Sequence, residues 1–256
     1  MENPDPTATL LPLPDASGES GGTDSTDTSS DGWEFIAPGL ERRTIFPNGS
    51  LFGQFVAVRI DPTLYRFRAH YQPGEARSLS TWQSQYPSAA VIVNANFFEA
   101  SHTITGLLIA DGEIFGQSYI NRGGTFAVQN GMPLLRSNIT TPYQGEPFEQ
   151  AVQAFPMLIE NGQIVYQTAL SERSSRRSAI GIDSAGRVII IATPLLGLSL
   201  AELAAALDSD ELDLVHALNL DGGGSTMLAI PSISYALPSI DPVPAVLAVY
   251  PTANIP

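Results

Sequence analysis

The sequence contains neither lysine nor cysteine. Without lysine, a Schiff base, a P-loop phosphate grip and a serine–lysine dyad are excluded, because each uses an amine that these arginines cannot replace. Without cysteine there is no thiol nucleophile and no thiolate metal site; the redox compartment stays open, since secreted chains often lack cysteine too. Positive charge is scarce: 12 arginines stand against 26 acids, a net charge of −14. Nucleic-acid binders gather a basic face, so this balance argues against a nucleic-acid partner. Long apolar runs are also missing. Val188 to Leu207 comes closest and is broken by Pro194 and Glu202, short of the roughly 18 apolar residues of a membrane span. No basic-then-apolar leader opens the sequence, so a signal peptide is not expected within it.

What is present suffices for a folded core. The chain has 256 residues, 43% of them hydrophobic, enough for a single domain. Residues 1–31 are rich in Ser, Thr, Asp, Gly and Pro and hold seven acids and no base, half of the net charge. That composition predicts a disordered acidic tail, with the domain spanning 32–256 and folded structure starting near Trp33. β-branched and aromatic runs predict strands at Phe52 to Ile60, Tyr65 to Tyr71, Ala90 to Phe98 and Gly106 to Ala110. Further runs follow at Thr125 to Gln129, Met157 to Glu160 and Arg187 to Ala192. Asp111-Gly112, Asn130-Gly131 and Asn161-Gly162 are tight-turn signals for hairpins. Ser80-Thr81-Trp82-Gln83 and Ser199-Leu200-Ala201-Glu202 read as capping boxes that open helices. The expectation is an α+β fold: a mixed, largely antiparallel sheet with a few packed helices.

Three segments carry the candidate chemistry. In Asn219-Leu220-Asp221-Gly222-Gly223-Gly224-Ser225-Thr226 an apolar strand delivers one carboxylate into three glycines. Their backbone can approach a ligand closely and turn amide N–H groups toward an anion. In Arg173-Ser174-Ser175-Arg176-Arg177-Ser178-Ala179-Ile180-Gly181 basic residues enter an apolar strand. Arg177, nearest the strand, is the candidate anion-binding residue, while Arg173 and Arg176 read as surface charges balancing acids. In Val91-Ile92-Val93-Asn94-Ala95-Asn96-Phe97-Phe98-Glu99 a strand ends in polar donors and aromatic rings on which a sugar could stack. His102 follows shortly and is within reach of such a site, whereas His216, in the apolar run before Asp221, reads as a packed core residue and His70 has no motif around it.

Together these segments resemble the phosphodiester glycosidase family. Asn94-Ala95-Asn96-Phe97-Phe98 is similar to its Asn-Gly-Gly-Phe-Phe motif, and Gln153 to Ile159 to the Pro-containing strand that follows. Arg177-Ser178-Ala179-Ile180-Gly181 is similar to Arg-Thr-Ala-Ile-Gly, and Asn219 to Thr226 to Asn-Leu-Asp-Gly-Gly-Gly-Ser-Ser. The likeness covers roughly Ala90 to Leu228. Ala95, Asn96, Ser178 and Arg176 depart from the pattern, and Ala192-Thr193-Pro194 stands where many members carry Asp-Gly-Arg.

The resemblance implies a hydrolase acting on a carbohydrate phosphodiester outside the cytoplasm, in an extracellular or periplasmic space, and cutting at the anomeric carbon. Asp221, Arg177 and Asn94 are then the catalytic candidates. Asn96, Phe98, His102, Gly222, Gly223, Gly224, Ser225 and Thr226 are the substrate-binding ones. The chemistry is consistent with a single carboxylate, because a phosphate ester leaves as a stable anion and needs no protonation. Asp221 acts as nucleophile or as base for water, and Arg177 with the glycine amides holds the phosphate. Glu99, Glu172 and Asp183 are candidates for a second carboxylate. No cofactor is required by this scheme. A hard cation such as Ca2+ held by Asp221 with Asn94 or Asn96 is one alternative. A non-catalytic glycan- or anion-binding module is another, and a phosphatase or nuclease is disfavoured by the shortage of acid clusters and histidines.

Overall fold

The computed structural model describes residues 32–167, 173–195 and 197–252, so the acidic segment 1–31 and the candidate Glu172 lie outside the described residues. In chain order the strands are β1 (Glu34–Ala37), β2 (Leu40–Ile45), β3 (Phe55–Ile60), β4 (Tyr65–Tyr71), β5 (Val91–Asn94) and β6 (Leu107–Ala110). Then come β7 (Glu113–Gly116), β8 (Gly124–Gln129), β9 (Met132–Ser137), β10 (Gln150–Ala154), β11 (Met157–Glu160) and β12 (Gln163–Ile164). The last six are β13 (Ser178–Asp183), β14 (Val188–Ala192), β15 (Leu214–Asn219), β16 (Leu228–Ile230), β17 (Tyr235–Leu237) and β18 (Ala245–Pro251). Two α-helices, α1 (Leu79–Gln85) and α2 (Leu200–Leu207), complete the regular structure of the described residues, together with short 3-10 turns.

The strands form three sheets. The largest has the order β1-β2-β3-β14-β13-β15-β11-β12, the second β7-β6-β10-β8-β9 and the third β17-β16-β5-β18-β4. The three predicted hairpins are present: β6–β7, β8–β9 and β11–β12 pair antiparallel. At each turn both central residues have positive φ, as in Asn130 (53°) and Gly131 (76°), the geometry that matches the strands' own twist.

Two expectations need correction. The sheets are not mixed: every strand pair among the described residues is antiparallel, including the long-range pairs β3–β14, β13–β15 and β5–β18. The fold also leans to β, since the helices have only 7 and 8 residues. Parallel neighbours require long crossovers, usually helical, and this chain spends its length on hairpins and loops.

A period of two in the strands builds the layers. In β14, Val188, Ile190 and Ala192 enter the central core that all three sheets share, while Ile189 and Ile191 face the layer beneath α2. In β18, Ala245, Leu247 and Val249 face the same central core, and Val246, Ala248 and Tyr250 face α1. Because both faces are covered, these strands read as continuous apolar runs instead of alternating ones.

The helices are capped as local chemistry dictates. Ser199 and Glu202 form the expected reciprocal box at α2: the Glu202 N–H donates to Ser199 Oγ and the Ser199 N–H to Glu202 Oε2. At α1 the cap is Ser78, not Ser80; Ser78 Oγ accepts from the Thr81 N–H at 3.3 Å. Both serines fit the pattern locally. Starting at Ser78 puts Leu79 and Trp82 on the buried face, and that burial, worth about 2 kcal/mol per large side chain, sets the start.

Candidate active site

Sheet register alone brings two candidate residues together. In the β13–β15 pair Ala179 lies opposite Asn219, and the Leu220 N–H donates to the Ser178 carbonyl at 2.9 Å. Continuing that register places Arg177 across from Asp221, and both side chains line one cavity of about 460 Å³. Phe97, Phe155, Pro156, Tyr166 and Asn219 supply most of the remaining wall.

The carboxylate is firmly placed. Asn94 Nδ2 donates to the Asp221 carbonyl at 2.6 Å, and the Asp221 N–H donates to the Ala95 carbonyl at 3.2 Å. Asn94 Oδ1 accepts from Ser178 Oγ at 2.7 Å and from the Met227 N–H at 3.1 Å. Asn94 is buried, with its polar atoms bound to the protein. Its side chain thus ties together the segments that carry Asp221, Ser178 and Met227. Among the described residues no group of three or more His, Asp or Glu side chains is gathered.

Burial pushes the Asp221 carboxyl up from its ordinary 3.8 to about 6. Hydrogen bonds from the Ser225 side chain and the Gly222 N–H pull the other way, and the charge of Asp241 adds to the rise. Desolvation of a carboxylate outweighs two hydrogen bonds here, the usual outcome in an aromatic-walled pocket.

The triple glycine works differently from the expected anion nest. The Gly222 N–H donates to Asp221 Oδ1 at 2.8 Å, and the Gly223 N–H to the Arg176 carbonyl at 2.7 Å. The Ser225 and Thr226 N–H groups turn back onto the carbonyls of Gly222 and Gly223. Only Gly222 of the three lines the Asp221 cavity; Gly223 and Gly224 face a second hollow with Phe52, Leu195 and Ile240. Gly222 and Gly224 are needed for space. A side chain on Gly222 would stand 3.0 Å from the Arg176 carbonyl, and one on Gly224 would run into the Asp241 carboxylate.

Other candidates are displaced from the cavity. Asn96 is buried and donates to the carbonyls of Leu107 (3.0 Å) and Gln153 (3.1 Å), stitching two strands together. Phe98 packs toward α1, and its ring meets His102 at 6.1 Å; neither lines the cavity. β5 ends at Asn94, so strand alternation no longer fixes which ring of the pair faces the site, and Phe97 takes that place. Thr226 is fully buried. Asp183, at the far end of β13 from Arg177, is bound to Arg187 Nε at 2.7 Å, and Glu99 sits in an exposed turn. Arg176 is no surface charge: its Nη2 donates to the carbonyls of Thr226 and Pro238 and clamps the glycine loop.

His216 is only half-buried, and burial lowers its pKa. His70 stacks on Tyr86 and hydrogen-bonds the Tyr250 hydroxyl; burial drops its pKa to about 4.

Three residues near the site lie outside the sequence motifs. Asp241 is the second carboxylate that Asp221 senses. Tyr119 packs edge-on to Phe155, and the Arg122 guanidinium lies 4.2 Å from the Phe155 ring centre and 4.4 Å from that of Tyr119. Burial raises the Tyr119 phenol; its hydrogen bonds to Thr105 and Arg122 oppose this, and it also feels the Asp221 charge. The one sequence sign was Asn121-Arg122-Gly123-Gly124, an arginine ahead of paired glycines.

A sequence model of the phosphodiester glycosidase family matches residues 87–250. No curated protein matches the sequence. Among solved structures, the catalytic domain of zebrafish N-acetylglucosamine-1-phosphodiester alpha-N-acetylglucosaminidase, auto-inhibited by its pro-peptide, has a similar fold. The likeness covers 84% of each chain at 19% identity, with a TM-score of 0.66. A protein from Synechocystis matches over 83% of this chain and 62% of its own, at 21% identity and a TM-score of 0.56. The matched segment holds Asn94, Arg177 and Asp221 together with the strands that position them, and the chain belongs to the phosphodiester glycosidase family.

Proposed function

We propose that this protein hydrolyses a sugar-1-phosphodiester at the anomeric carbon, releasing free sugar and a phosphomonoester. The observation that carries the reading is the half-buried Asp221 carboxyl, raised to about 6, in an aromatic-walled cavity that it shares with Arg177.

Aromatic rings suit the apolar face of a sugar. As the bond from C1 to the phosphate oxygen breaks, its electron pair leaves with the phosphate. Positive charge then grows on the sugar ring beside Asp221, and the Arg177 guanidinium contributes a favourable potential for the departing anion. Asp221 either adds to C1 and is released by water, or takes the proton of the water that adds. A carboxylate with a pKa near 6 remains ionised at neutral pH and is more basic than an ordinary one, which serves both roles. The acidic tail and the family membership favour a site of action outside the cytoplasm. No helix of the described residues is long and apolar enough to cross a membrane.

The test is a panel of sugar-1-phosphate diesters with product identification. Wild type releasing free sugar, and Asp221→Asn releasing none while keeping its fold, is the expected result. Binding without cleavage by wild type would instead support a glycan- or anion-binding module using the same cavity. Inorganic phosphate released from phosphomonoesters, with the diesters left intact, would turn the assignment to a phosphatase.

A further inference from the structure

We propose that Arg122 is the residue that makes direct contact with the ligand's anionic group, and that Phe155 holds its guanidinium at the rim of the Asp221 cavity. The inference rests on the reading of that cavity as a sugar-phosphodiester site and names the cation that selects the substrate.

Two guanidiniums lie near the cavity. Arg177 lines the cavity, but its Nε donates to the Leu198 carbonyl at 2.8 Å and its Nη2 to the Arg173 carbonyl at 3.2 Å. Those bonds aim its fork at the backbone. Arg122 is exposed and lies across the ring of Phe155, a cavity-lining residue. Phe97 stacks on Phe155 with ring centres 4.4 Å apart and planes at 24°. One ring face cannot hold two partners at such distances, so Phe155 is layered between Phe97 and Arg122. A guanidinium lying over a ring, with one contact to the Tyr119 hydroxyl, keeps N–H groups for a planar grip on an oxyanion.

The backbone beneath Arg122 is fixed. Its carbonyl accepts from Asn138 Nδ2 at 3.3 Å, and the Gly123 carbonyl accepts from the Asn138 N–H at 2.9 Å. Gly123 has φ 65°, and a side chain there would collide with the Ala154 carbonyl. The Tyr119 hydroxyl, which also pairs with Thr105 Oγ1 at 2.7 Å, is held by Arg122 and senses Asp221, so the two charges border a common space. Such a pre-placed side chain loses little freedom on binding.

Arg122→Ala and Arg122→Lys are compared with wild type in calorimetric titration with inorganic phosphate and in kinetics on a sugar-1-(methyl phosphate) diester. The expected result for Arg122→Ala is a rise of about tenfold or more in both the phosphate dissociation constant and KM, with kcat within about threefold and an unchanged Tm. Arg122→Lys falls between, because an ammonium keeps the charge and loses the planar fork. Phosphate binding and KM unchanged in Arg122→Ala would overturn the inference while leaving the hydrolase reading standing. Wild type that binds phosphate through Arg122 but releases no sugar would sink the hydrolase reading and keep this one. Wild type that binds no phosphate would overturn it.

Discussion

The Asn94 side chain donates to the backbone carbonyl of Asp221, 127 residues away, at 2.6 Å. With its Oδ1 it also ties Ser178, next to Arg177, and the Met227 N–H beyond the glycine loop. One amide therefore sets the positions of three segments around the cavity. Asn94→Ala removes these bonds and leaves buried polar groups unpartnered, at a cost of about 3 kcal/mol or more. Urea unfolding is expected to show that loss, and kcat is expected to fall further than KM rises, since the displaced group is the carboxylate. An equally stable variant would contradict the role.

Asp221→Asn is expected to stabilise the protein above pH 7 while abolishing turnover. The native carboxyl titrates near 6 and the unfolded one near 3.8, so the native state binds more protons between those values. Wild-type stability therefore falls as pH rises through that window. The amide escapes this and can still accept from Gly222 and donate to Ser225. Thermal melts at pH 4 and pH 8 check this: the variant should gain on the order of 1–2 kcal/mol over wild type at pH 8 relative to pH 4.

The activity itself should follow the same group. If Asp221 acts ionised, kcat/KM rises with pH through about 6 and then levels. The Ser225 hydroxyl holds this titration down, so Ser225→Ala should move the rising limb to higher pH. A limb that stays in place would separate Ser225 from the carboxylate.

Gly223→Ala tests what the glycine loop is for. Gly223 has φ 61°, and the nearest atom a side chain would meet is Ser175 Oγ at 3.5 Å. The space is open and the cost is backbone strain, about 1 kcal/mol. Denaturant unfolding should show that loss with the cavity intact. A loss several times larger would mean the loop tolerates no relaxation.

Much of this architecture was legible because its signals are local. Asp111-Gly112, Asn130-Gly131 and Asn161-Gly162 declare their turns through residues that accept positive φ, and Ser199 with Glu202 caps α2 within four residues. The Arg177 and Asp221 motifs came together as expected because each sits at the end of a β-strand, and the strands are neighbours. Strand order was not legible: β5 lies between β16 and β18, and β14 beside β3, choices made by the shared core and not by any one segment. Ser80 was mistaken for the α1 cap because two serines satisfy the same pattern, and which of Phe97 and Phe98 lines the cavity was not legible because alternation stops where β5 ends. The partner of the Gly223 amide, the Arg176 carbonyl, was not legible because it is distant in sequence. Arg122, Tyr119 and Asp241 lie near the site on loops outside the three motif segments.

The most direct test follows oxygen. Hydrolysis of a sugar-1-phosphodiester in 18O-labelled water, with mass analysis of both products, locates the broken bond. Attack at the anomeric carbon beside Asp221 places the label in the free sugar and none in the phosphomonoester; label in the phosphate would contradict the account.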